Sequence, residues 1–80
     1  MSDKIEHIYS RFVVFCLEAY KRNNSLSGAE AVALFDRYNI TEYLVDGYDV
    51  LHSLGEAALV NDISDFIARR SKRGLANHLH

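Results

Sequence analysis

Apolar side chains recur along this chain at the spacing of an α-helix in four successive stretches. In the first, Ile5, Ile8, Tyr9, Phe12, Cys16 and Ala19 share one face and predict a helix over residues 2–22. Lys4, His7, Arg11 and Glu18 take the opposite face, but Val14 falls among them. Val13, Leu17 and Tyr20 widen the inner stripe, so the second half of the helix is apolar almost all round. Such a helix is either the central element of a small bundle or one that touches something beyond its own fold.

Asn23-Asn24-Ser25-Leu26 reads as a turn, and Ser27-Gly28-Ala29-Glu30 as a capping box that opens a second helix over 27–38. Ala31, Leu34, Phe35 and Tyr38 give its inner face, and Asn39 is a left-handed stop. Thr41 is the expected cap of a third helix over 41–54, with Leu44, Tyr48 and Leu51 inside and Val50 and Leu54 flanking. Gly47 in its middle costs about 1 kcal/mol relative to alanine and implies a kink or a close backbone approach. Leu59, Val60, Ile63, Phe66 and Ile67 predict a fourth helix over 56–71; the competing reading leaves Ala57 to Val60 extended and starts the helix at Asn61. The expected fold class is all-α, a single-domain bundle of four helices over residues 1–73 with a loose tail over 74–80.

Composition agrees with a folded but small domain. Half of the 80 residues are hydrophobic (49%), nine of them aromatic, and 25% are charged. A chain this short hides only about 60–65% of its unfolded surface, so added burial from a partner or a second copy matters. No run approaches the roughly 20 apolar residues that span a bilayer, and the start has no signal-peptide shape. With one cysteine there is no internal disulfide framework. A cytoplasmic protein with no membrane contact is expected.

Charge changes the picture more. Between Glu30 and Asp65 eight acids face the single base Arg37, whereas Arg69, Arg70, Lys72 and Arg73 cluster behind them. An acidic body with a basic end favours a basic partner. The second and third helices imitate a helix-turn-helix in length, but the third has no Arg, Lys, Asn or Gln to read a base edge, and phosphate repels its acids. Sequence-specific nucleic-acid binding is excluded by that helix; salt-sensitive contact through residues 69–73 is the remaining option.

Candidate chemistry is sparse. Asp49 and His52 stand three apart and can face each other, as a carboxylate-oriented imidazole for general-base work or as a packed histidine bonded to Asp49 or a carbonyl. No placed nucleophile completes a triad, although Ser53 is adjacent. Glu42, Asp46 and Asp49 share a helix face, but one helix seldom converges enough oxygens for a hard cation, so a solvated acidic face or one that meets a basic partner is the preferred reading. Cys16 on the apolar face of the first helix reads as a small core hydrophobe. His7, His78 and His80 make no metal spacing with it. Tyr43 is the expected interface anchor, since tyrosine is enriched at binding hot spots.

The order Phe15-Cys16-Leu17-Glu18-Ala19-Tyr20-Lys21, Leu26-Ser27-Gly28, Leu34-Phe35, Tyr43-Leu44, Tyr48-Asp49-Val50-Leu51-His52 and Asp62-Ile63 resembles short bacterial proteins of the domain of unknown function family 3791. The likeness spans about residues 4 to 70, and its most distinctive piece is the Tyr-Asp-x-Leu-His run at 48–52. It implies a place beside proteins resembling ADP-ribosyltransferases, in a toxin–antitoxin-like or regulatory cassette, and it transfers no active site. The expectation is therefore a non-enzymatic protein-interaction module that binds through Val14, Tyr43, Asp46, Tyr48, Asp49 and His52, without cofactor or metal. Its partner is a basic protein, with homodimerisation through the first helix compatible. The alternative is a small enzyme or ligand-binding domain using Asp49 and His52.

Overall fold

The computed structural model describes residues 2–79 of the backbone and the side chains of residues 8–71. Its helices are α1 (Ser2–Asn23), α2 (Gly28–Arg37), α3 (Ile40–Asp46), α4 (Tyr48–Leu51) and α5 (Glu56–Leu79), with no strand among the described residues. The all-α expectation holds. Of the two readings of the first helix, the structure fits the central one: α1 packs against α5, α2 and α3, while α2 meets α3 and α3 meets α4.

The turns show why the chain folds where it does. Leu26 N–H donates to Lys21 O at 3.0 Å and Ser25 N–H to Arg22 O at 3.4 Å, with Ser25 left-handed at φ 53°, which closes α1 in a Schellman motif. Asn23 and Asn24 add side-chain donors to the last carbonyls, Ala19 O at 2.8 Å and Tyr20 O at 2.9 Å. The capping box is present in full: Ser27 N–H donates to Glu30 Oε1 at 2.8 Å, and Glu30 N–H to Ser27 Oγ at 3.1 Å. Those bonds favour the ionised carboxylate and lower the Glu30 pKa.

Three expectations need correction. Thr41 does not cap the third helix. Asn39 is left-handed (φ 53°, ψ 42°), its carbonyl accepts from Tyr43 N–H at 3.2 Å, and the helix opens at Ile40, which is fully buried. That single helix over 41–54 is instead two short ones, broken at Gly47 and finished at Leu51. At the break Gly47 has φ −97° and ψ 12°, and a Cβ there would lie 2.9 Å from the Leu51 side chain (Cδ1) and 3.4 Å from Tyr43 O. Lastly, Ile8 of the first stripe is 48% exposed, and the flanking Val50 and Leu54 are 71% and 37% exposed.

The last helix starts at Glu56, so Ala57 to Val60 are helical and Asn61 is not a cap. It continues past residue 71 to Leu79. The side chains of Lys4, Ile5, His7, Lys72, Arg73, His78 and His80 lie outside the described residues.

The core joins every helix: Cys16, Ala19 and Tyr20 meet Phe35, Ile40, Leu44, Leu51, Leu59 and Ile63. No polar or charged residue among those described is buried. Burial pushes the Cys16 thiol up to about 11, so it stays protonated and acts as a core hydrophobe. At one end, Arg22 bonds Glu56 at 2.9 Å and Asn23 adds a 3.2 Å bond to the same carboxylate, which sets the start of α5 beside the end of α1.

Candidate functional site

Helical spacing brings Asn39, Glu42, Tyr43 and Asp46 to one face along α3, at i, i+3, i+4 and i+7. On α5 the corresponding face carries Asp62, Phe66, Arg69 and Arg70. The two stripes meet. The Tyr43 hydroxyl donates to Asp62 Oδ2, and its ring stacks on Phe66 with centroids 4.1 Å apart and planes at 18°. The Arg70 guanidinium sits 4.7 Å above the Phe66 ring, a cation–π contact. Between the helices an open cleft of about 320 Å³ is lined by Asn39, Glu42, Tyr43, Asp46, Phe66 and Arg70. A second hollow of about 240 Å³ involves Arg69 and the same aromatic pair.

The cleft is bipolar. Two carboxylates, Glu42 and Asp46, line the α3 side and the Arg70 guanidinium the α5 side, with Arg69 in the adjoining hollow. Burial first, and then the hydrogen bond and negative charge of Asp62, push the Tyr43 phenol up to about 12, with Arg69 partly opposing them. The phenol therefore keeps its proton at neutral pH and acts as a donor to a carboxylate, not as a base.

A second aromatic group forms where α4 meets the first half of α1. Tyr48 presents edges to Tyr9 (5.2 Å, 84°) and Phe12 (5.1 Å, 90°). His52 stacks on Tyr48 at 4.5 Å and 9°, and its Nδ1 lies 2.6 Å from Tyr48 O. A carbonyl can only accept, so Nδ1 carries the hydrogen.

These contacts sort the residues singled out from the sequence. Tyr43 and Asp46 come together in the cleft, while Tyr48 and His52 come together in the other cluster. Asp49 is exposed and has no hydrogen bond to His52, which takes the backbone carbonyl instead. Val14 lines neither group and stands 53% exposed on α1. Sequence reasoning missed Asp62 and Phe66 as partners of Tyr43. A signal existed in the facing i, i+4, i+7 stripes of α3 and α5, but nothing local says which helices face each other.

The model of the family described as a protein of unknown function, DUF3791, matches residues 11–70. The chain belongs to this family. Cleft and aromatic cluster both lie within the matched span, except that Tyr9 precedes it. No curated protein and no solved structure shows significant similarity to this family member. Among the described residues no three His, Cys, Asp or Glu side chains are grouped to hold a metal ion, and no helix is long and apolar enough to cross a membrane.

Proposed function

We propose that this DUF3791 protein is a non-enzymatic interaction module that seats a basic segment of a partner protein in the α3–α5 cleft. The observation that supports the reading is the cleft itself: a volume of about 320 Å³ with an aromatic floor and a carboxylate wall. Glu42 and Asp46 receive a lysine or arginine of the partner, with the Tyr43 ring beneath its aliphatic stem. Arg69 and Arg70 on the far side take a carboxylate or backbone carbonyls of the same segment, which fixes its direction. The resemblance to the family suggests the partner class, an ADP-ribosyltransferase-like protein encoded nearby, whose activity the module restrains or positions. A cytoplasmic setting fits that role.

An enzyme or ligand-binding domain using Asp49 and His52 has less support, because the imidazole is stacked and bonded to its own helix. The test is coexpression with the product of the adjacent gene, followed by affinity measurement on the purified pair. Glu42→Lys with Asp46→Lys places like charge where a cation should sit, and an affinity loss of about tenfold or more is expected at unchanged helix content. A pair that binds equally well after the double reversal, or that never binds, removes the proposal.

A further inference from the structure

On the far side of α1 from its buried residues Cys16, Ala19 and Tyr20, four neighbours form a compact exposed patch. Arg11, Val14, Phe15 and Glu18 stand at i, i+3, i+4 and i+7, so they share one face. All four are exposed; Val14 is 53% and Phe15 46% accessible, and the Glu18 side chain 48%. Two large apolar groups in the middle of a helix surface, with a base one turn before and an acid one turn after, make an ordered pattern. Reversing the helix direction exchanges the two charges and leaves the apolar centre in place.

We infer that this patch pairs two copies of the chain through antiparallel α1 helices, with Arg11 of each copy against Glu18 of the other. A two-fold axis between Val14 and Phe15 sets these apolar side chains against their counterparts and forms both ion pairs at once, as an isologous interface requires. Lys21 already bonds Glu18 at 3.1 Å within the copy, and the second carboxylate oxygen remains for the incoming guanidinium. A parallel arrangement would oppose Arg11 to Arg11 and Glu18 to Glu18, so charge selects the antiparallel one. Four side chains a copy fall far short of the roughly 20–30 residues a side of a standard interface. The dimer is therefore reversible and concentration-dependent. It uses none of the cleft residues and does not rest on the partner reading.

Sedimentation of the full chain over a concentration series is the test. The wild type should pass from monomer to dimer, more readily at low than at high salt. Arg11→Glu makes the face wholly acidic and Glu18→Arg makes it wholly basic; each alone should weaken self-association by about tenfold or more, because both symmetry-related pairs turn repulsive. Mixing the two variants in equal amounts should restore a dimer of wild-type strength, since each then meets its opposite. Phe15→Glu should give a monomer whose circular dichroism is unchanged. A wild type that stays monomeric at millimolar concentration overturns the inference. So does a dimer indifferent to Arg11→Glu and Glu18→Arg, which would place the contact elsewhere.

Discussion

Tyr43 and Tyr48 lie five residues apart on either side of Gly47, yet the fold uses them in different ways. Tyr43 spends its hydroxyl on Asp62 and its ring face on Phe66, so it ties α3 to α5 across 19 residues of sequence. Tyr48 uses only its ring, packed edge-on against Tyr9 and Phe12 and stacked on His52. In the first region a polar bond and an aromatic stack lie beside a cleft lined by three charged residues, Glu42, Asp46 and Arg70. In the second the Tyr48 ring packs between α4 and α1. Aromatic density is common to both regions; the first adds two carboxylates and a guanidinium beside it.

The largest effect should come from removing the shared wall of the cleft. Phe66 is buried and carries both the Tyr43 stack and the Arg70 contact, so Phe66→Ala should cost about 3–4 kcal/mol in urea unfolding. Tyr48→Ala removes half-buried edge contacts and the His52 stack and should cost about 1–2 kcal/mol. Equal costs would break the contrast between the two regions.

Gly47 separates them, and its substitution comes next. Alanine there removes backbone freedom from the unfolded chain, a stabilising term, but its Cβ meets Leu51 Cδ1 at 2.9 Å in a buried position. The overpacking should dominate, for a net loss of about 1 kcal/mol. A more stable Gly47→Ala protein would show that Leu51 repacks freely and that α3 and α4 can run as one helix.

That break also shows what a single sequence carries. Local chemistry was legible: the Ser27–Glu30 box, the left-handed Asn39 and the special role of Gly47 all depend on neighbours within a few residues. Thr41 misled because the chain turns at Asn39 and enters the next helix at once, so that Ile40 can be buried; a good capping residue one step later is not needed. Candidate-site residues were half legible. Tyr43 and Asp46 fall in the cleft, but Asp62 and Phe66 reach them only through the packing of α3 on α5, and no spacing rule encodes that. Asp49 and His52 stand at a spacing that permits contact, and the nearer Tyr48 carbonyl wins the imidazole.

The smallest effects sharpen the contrast most, because they isolate one oxygen atom. Tyr43→Phe leaves the stack and deletes the donor to Asp62, at a cost of about 1 kcal/mol. Tyr48→Phe and Asp49→Asn should each stay within about 0.5 kcal/mol of wild type. The pH dependence distinguishes a real bond from a packing change. The Tyr43 phenol is raised from 10.0 to about 12 in the fold, so the protonated form is the one the native state favours. Its contribution is complete below pH 10 and is lost as pH rises through about 12, where the native state must give up a proton it holds more tightly than the unfolded chain does. Subtracting the unfolding free energy of Tyr43→Phe from that of wild type should leave a difference that is flat to pH 10 and then falls, whereas the same subtraction for Tyr48→Phe should stay flat throughout. A flat difference for Tyr43 would mean that Asp62 holds no proton of that phenol, and that the stack on Phe66 alone joins the two helices.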